Sequence, residues 1–353
     1  MSDKVRIGFA GVGAMGQAAH LRNYATLPDC TVVALAEPRP RLRDAVARKY
    51  GIERTYATAM EMIESERLDG IVASQPFDRH GAVITPLYAA GIPIFTEKPL
   101  ADSVEVGERM LEALAQGGSW HMVGYHKRSD PATMYAKAEI ERLRQSGELG
   151  RMTYVRILMP SGDWVAGGFN DNIATAEAAP PLPPDTDPRG REPFLAFINY
   201  YIHQVNLLRH LLGESYRVAY ADPSGVLLAV ESVSGVPGVI EMTPFRTTAD
   251  WRESALVAFE RGFVKIHLPA PLAYNRPGSV EVFSDPGSSA GSVPQTVIPQ
   301  LPWEHAMRRQ ASNFVAAIRG ERPPMCDAAE AFQDLQIARD YLVARGDRAV
   351  KGT

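Results

Sequence analysis

The chain has 353 residues, 45% hydrophobic and 22% charged, with a formal charge of −4. This ordinary globular composition gives no ground for a nucleic-acid or acidic-membrane partner. At this length two domains are the default, and folding should bury about 75% of the unfolded surface.

Cys30 and Cys326 are the two cysteines. They have neither disulfide-framework nor metal-ligand spacing, so no metal is expected and a reducing cytoplasm is compatible. The opening "MSDKVRIGFAG" enters a strand-like run without an apolar signal region. No apolar run approaches the roughly 18 residues needed to span a membrane.

The first third alternates strands and helices. "VRIGFAG" is a strand, followed by a glycine cluster and a helical pattern. "CTVVALAEP" is a strand and "RLRDAVARKY" a helix ending at Gly51. "LDGIVASQP", "IPIFTEKP" and "WHMVGYH" are further strands, separated by the helices "HGAVITPLYAAG" and "SVEVGERMLEALAQGG". This alternation predicts βαβ units and a parallel sheet covered on both faces.

Gly11-Val12-Gly13-Ala14-Met15-Gly16 is a G-x-G-x-x-G between the first strand and the first helix. The bare motif is weak, but its position makes it a dinucleotide fingerprint: Gly11 for the turn, Gly13 for approach of a pyrophosphate, Gly16 for close packing. The helix N-terminus offers N–H groups and a positive dipole end to the phosphates. Glu37 ends the second strand, about 20 residues further on, where a carboxylate accepts from the adenine ribose hydroxyls. That favours NAD, while Arg39 leaves NADP possible.

Glu97-Lys98-Pro99 ends another strand, at the sheet edge where ligands bind. Pro99 disfavours the helical region for Lys98. A lysine held there could hydrogen-bond a reacting hydroxyl and stabilise alkoxide charge; taken alone it reads as a surface lysine.

After "HKRSDP" the pattern changes to successive strand candidates: "RMTYVRILM", "YRVAYAD", "GVLLAVESVSG", "PGVIEMTPFRT", "RESALVAFERG" and "FVKIHLP". Few helices separate them, so a mostly antiparallel sheet is expected, with helices near 303–319 and 327–345. Residues 160–193 hold seven prolines and four glycines in a long irregular loop. Such loops are usually functional or disordered. A lid and a subunit contact are equal candidates; in the lid, Trp164 could stack on a sugar face and Asn170 could bond hydroxyls. Residues 197–214, "FINYYIHQVNLLRHLLGE", carry one helical apolar stripe flanked by Asn199, His203 and Asn206. That polar row is either a half-exposed helix flank or the wall of a site.

The segments "GFAGVGAMG", "SQPFDRH", "AAGIPIFTEKPLA", "VGYHKRSDP", "GELG" and "IHQVNLLRHLLGE" together resemble the Gfo/Idh/MocA oxidoreductases, which are sugar and cyclitol dehydrogenases and reductases. The resemblance implies an α/β chain with a Rossmann domain at 1–126. A substrate-binding and oligomerisation domain at 127–353 follows, its open, mostly antiparallel sheet forming a homodimer or homotetramer. Lys98 matches the family's catalytic lysine and His203 the histidine of its D-x-x-x-H motif. Ser74, Gln75, Pro76, His80 and Glu97 would border the cofactor, and Tyr125, His126 and Arg128 the substrate. Three positions depart: Asn199 replaces the usual aspartate, Tyr201 a glycine, and Asn206 the aspartate that follows the histidine.

The expected activity is NAD(P)-dependent hydride transfer at a hydroxyl or keto carbon of a sugar, sugar derivative or cyclitol. His203 is the expected base, because an unperturbed imidazole titrates near 6.5. Lys98 would position the hydroxyl, and Asn199 could hold substrate without titrating. A redox-assisted glycosidase or lyase with retained NAD, and a non-catalytic dinucleotide-binding regulator, are the alternatives.

Overall fold

The structure, a computed structural model, describes residues 4–287 and 293–346. Strands β1 (Val5–Ala10), β2 (Cys30–Ala36), β3 (Arg54–Tyr56), β4 (Gly70–Ala73), β5 (Ile94–Glu97) and β6 (His121–Gly124) form a parallel sheet in the order β3-β2-β1-β4-β5-β6. Their apolar runs are buried because helices cover both faces: Ile7, Phe9, Ile71, Val72 and Ile94 have no solvent exposure. The chain order reverses between β1 and β4, and this opens a crevice at the carboxyl ends of those strands. Strand β3 and the Ala59–Ser65 helix after it carry too little periodicity to be anticipated; Thr58 and Glu61 start that helix with a reciprocal capping box.

A second sheet holds β7 (Met152–Ser161), β8 (Tyr216–Ala221), β9 (Leu227–Ser232), β10 (Pro237–Arg246), β11 (Glu253–Phe259), β12 (Gly262–Leu268), β13 (Ser279–Ser284) and β14 (Gln295–Val297). Its order is β14-β13-β12-β11-β7-β10-β9-β8. All pairs are antiparallel except β7 with β10. Burial alternates along β9 and β11, so one face packs on helices and the other is partly open. The last two strands extend the sheet beyond the sequence expectation.

Three further differences bear on the site. The 197–214 stretch is two helices, Glu192–Tyr200 and Ile202–Leu212, joined at Tyr201. A helix at Pro131–Ser146 begins where a pattern change was expected; Pro131 occupies its first turn and the Asp130 side chain accepts from Ala132 N. The Ala306–Ile318 helix, late in the chain, packs on the first sheet, with the Phe314 ring against Tyr24, Phe95 and Trp120. Among the described residues no helix is long and apolar enough to cross a membrane.

Candidate active site

The glycine loop follows β1 directly. Gly11 has a φ of +90°, and a Cβ there would stand 2.4 Å from the Ser74 carbonyl oxygen. A Cβ on Gly16 would stand 2.3 Å from the Gly11 carbonyl oxygen, so the helix start leaves no room for a side chain against the turn. Gly13 is different: apart from its own chain neighbours, the nearest heavy atom to an added Cβ is Arg39 Nη2, at 4.0 Å. The loop is closed beneath and open at Gly13, the form a pyrophosphate cradle needs. Gly16→Ala is expected to push the loop off its turn and weaken NADH binding by about tenfold or more, measured by fluorescence titration.

Glu37 is buried at the end of β2. One carboxylate oxygen accepts from Val12 N at 3.0 Å and Arg39 Nη2 at 3.0 Å; the other accepts from Arg39 Nε at 2.7 Å. Arg39 is thus a bidentate partner of Glu37, and its guanidinium is already engaged. The residues that would hold a dinucleotide here are the Gly11–Gly16 loop and Glu37.

Beyond the loop lies a cavity of about 530 Å³, lined by Gly13, Ala14, Met15 and Gly16 on one side, by Ser74, Gln75, Pro76, Glu97 and Lys98 below, and by His126, Lys127, Asn199, His203, Gln204, Trp164 and Trp251 opposite. Its volume is in the range of small-molecule and cofactor sites. The helix break at Tyr201 shapes this wall. Asn199 is in the last turn of the Glu192–Tyr200 helix, where carbonyls lack intrahelical partners. Its carbonyl oxygen instead accepts from Lys98 Nζ at 2.6 Å. A continuous 197–214 helix would have given that oxygen to the His203 N–H.

Burial pulls the Lys98 ammonium down to about 8; the Glu97 carboxylate opposes that and Lys127 adds to it. Burial pushes the Glu97 carboxyl up, but the His20 hydrogen bond, at 2.6 Å, and the His20 and Lys98 charges outweigh it and hold it below its ordinary value. His203 is driven well below 6.5 by burial, then by Lys98, His126 and Lys127. Its ring meets those of His126 and Tyr125 edge-on, at centroid separations of 4.6 and 6.0 Å. His203 Nδ1 is buried without a protein partner. The expectation of an unperturbed histidine is therefore corrected: burial and the neighbouring cations favour the uncharged imidazole of His203, while the Lys98 ammonium is drawn toward neutrality.

A polar cluster on the far wall was not anticipated. The buried Glu253 carboxylate pairs with Lys127 Nζ, and accepts from Gln204 Nε2 at 2.7 Å and Trp251 Nε1 at 3.1 Å. The acceptor-only carboxylate fixes which way the Gln204 amide points. That leaves Gln204 Oε1 buried with no protein partner.

Several sequence candidates stand elsewhere. Asn206 has no solvent exposure: its Oδ1 accepts from Arg128 Nε at 2.6 Å and its Nδ2 donates to Asp334 at 2.7 Å. Arg128 also donates to the Met325 carbonyl and to Glu330. Both are corrected from substrate contacts to ties between the Ile202–Leu212 helix and the Ala328–Arg345 helix. His80 is buried, and its ring nitrogens lie 3.0 and 3.2 Å from the Leu100 and Gln75 carbonyls, so it braces the cavity floor from behind. Tyr125 sits behind His203, and Asn170 is exposed outside the cavity.

Residues 5–125 match the oxidoreductase family with an NAD-binding Rossmann fold, Gfo/Idh/MocA. Over 352 residues the chain is 26% identical to the scyllo-inositol 2-dehydrogenase (NAD(+)) of Bacillus subtilis, covering 96% of this chain and 93% of that protein. It is 29% identical over 300 residues to an inositol 2-dehydrogenase of Burkholderia lata, covering 80% of each. The aldose-aldose oxidoreductase of Caulobacter crescentus, solved in complex with glycerol, shares the fold at a TM-score of 0.70 and 18% identity over 98% of both chains. The parallel sheet, the glycine loop and the lysine at the end of β5 thus fall within the segment that matches the NAD-binding Rossmann model of the Gfo/Idh/MocA oxidoreductases, and along most of its length the chain is similar to dehydrogenases named for inositol substrates.

Proposed function

We propose that the protein is an NAD-dependent dehydrogenase or reductase of a polyhydroxylated, carbohydrate-like substrate: a sugar, a sugar derivative or a cyclitol. The observation that carries this reading is the convergence of the glycine loop, Lys98 and His203 on one cavity. A bound nicotinamide supplies the hydride chemistry; the chain's own residues orient the substrate and handle the proton. Lys98 Nζ, tied to the Asn199 carbonyl and titrating at about 8, takes the proton of the reacting hydroxyl in oxidation and returns it in ketone reduction. Neutral His203 hydrogen-bonds the same oxygen and stays uncharged. Gln204 Oε1 accepts from a second hydroxyl, and Lys127 donates to a third. Trp164 and Trp251 offer apolar faces to ring carbons. Donors and acceptors thus both line the wall, which suits vicinal hydroxyls, each of which both donates and accepts.

The relatives' names support the substrate class, and the partly open face of the second sheet supports a homodimer or homotetramer. The test is an absorbance assay of sugars, sugar acids and cyclitols with NAD and NADP. Substrate-dependent NADH formation with at least one polyol is expected. Glycoside cleavage without net reduction would favour the redox-assisted alternative, and silence across the panel would overturn the reading.

A further inference from the structure

The 160–193 loop does more than border the substrate cavity. Between residues 171 and 187 it runs as a strap touching the helical segments that follow β1, β2 and β4. At the first, Asn172 Nδ2 donates to the Ala14 carbonyl at 3.0 Å. Ile173 N donates to Gln17 Oε1 at 2.8 Å, and Gln17 Nε2 returns a bond to the Ile173 carbonyl at 2.9 Å. At the second, the Glu177 carboxylate accepts from Arg41 N at 3.1 Å and Leu42 N at 2.9 Å, at the start of the Pro40–Tyr50 helix. At the third, Asp185 accepts from Gly81 N at 2.6 Å and Ala82 N at 2.8 Å, and its own N donates to the Asp78 carbonyl at 2.7 Å.

The sheet order is β2-β1-β4, so a chain running from Glu177 to Asp185 crosses the carboxyl end of β1, where the glycine loop lies. The crossing segment is Ala178–Pro184, "AAPPLPP", exposed throughout. Four prolines in seven residues make it a stiff bar that loses little entropy when pinned at both ends. Its ends are held by carboxylates on backbone N–H groups, joined at the far end by the Asp185 N–Asp78 bond and by Thr186 Oγ1 donating to Asp102 at 2.6 Å, contacts that can open without unfolding a core. Glu177 also occupies the N–H groups just beyond Glu37 and Arg39. In a Rossmann domain a 2′-phosphate would sit here, and an arginine beside the ribose would receive it. Here Arg39 is held by Glu37, and the nearby helix N-terminus is already occupied by a carboxylate.

We propose that the 171–187 strap closes over the adenine half of the dinucleotide crevice, with Glu177 as its latch and as a second determinant of NAD over NADP. The proposal rests on the dinucleotide reading of the glycine loop. A latched strap slows exchange of the dinucleotide, and the Glu177 carboxylate repels a 2′-phosphate that Glu37 already disfavours.

Stopped-flow and equilibrium fluorescence with NADH and NADPH on the full chain test this without any substrate. Glu177→Ala is expected to speed NADH release by about tenfold and to shift the NADPH-to-NADH affinity ratio by about tenfold toward NADPH. Asp185→Ala, which loosens the other end while Thr186 Oγ1 still donates to Asp102, should speed release to a smaller degree and leave the ratio unmoved. Glu177→Gln, which drops the charge and keeps an acceptor, should shift the ratio with a smaller effect on release. Wild-type protein that binds no NADH would defeat the dinucleotide reading itself. Wild-type binding together with a release rate or an affinity ratio in Glu177→Ala that stays within about threefold of wild type would overturn the strap alone.

Discussion

Lys98→Met is expected to lower kcat for polyol oxidation by about 10³-fold or more while NADH still binds. Lys98 Nζ lines the cavity, and burial draws its ammonium toward neutrality, to about 8. Methionine keeps the length and apolar stem of the side chain and removes both the proton acceptor and the donor to the Asn199 carbonyl. The glycine loop and Glu37 do not depend on that amine, so NADH titration of the variant separates lost chemistry from a lost cofactor site. His203→Ala should cost less, about 10- to 100-fold, because the imidazole is already neutral and its loss removes a hydrogen bond rather than the titrating group. A Lys98→Met variant retaining more than a tenth of wild-type kcat, or a His203→Ala variant more impaired than it, would exchange the two roles.

What was legible in the sequence was what is local. The glycine loop, Glu37 and Lys98 each sit within a strand-turn-helix unit whose pattern fixes their place at a sheet edge, and the folded chain brings them to one crevice. Residues whose role depends on distant packing were opaque. Asn206 shares a helical row with His203, yet the Ala328–Arg345 helix takes up its amide, and that contact joins positions 128 residues apart. Glu253 looks like a charged strand end in isolation; only the meeting of β11 with Lys127 and Gln204 makes it the centre of the far wall. The break at Tyr201 was hidden because the apolar stripe continues across it in sequence. Yet the break frees the Asn199 carbonyl for Lys98. The Pro-rich loop was recognisable as unusual, but its anchoring points on the segments after β1, β2 and β4 are set by sheet order, and strand order is not written in a hydropathy pattern.

Asn199→Asp is expected to move the pH–rate profile upward by about one unit or more. Oxidation needs the Lys98 amine in its neutral form to take a proton, so the wild-type rate should rise through an apparent pKa near 8. Asn199 lines the cavity with Lys98 and His203 but carries no charge. A carboxylate there stabilises the protonated forms of both neighbours, because an opposite charge favours the charged state. The sign follows: the Lys98 pKa rises, less neutral amine is present at pH 7, and oxidation slows there while its rising limb moves to higher pH. Ketone reduction needs the ammonium as proton donor, so its falling limb moves the same way and reduction persists into more alkaline solution. The shift should shrink as salt is added only to the extent that the cavity admits ions, since buried pairs are screened less than exposed ones. Profiles measured in both directions on wild type and variant check this. Limbs that stay within about 0.3 units of wild type would mean the new carboxylate does not sense Lys98. A rising limb displaced below neutrality would instead assign proton transfer to the introduced carboxylate.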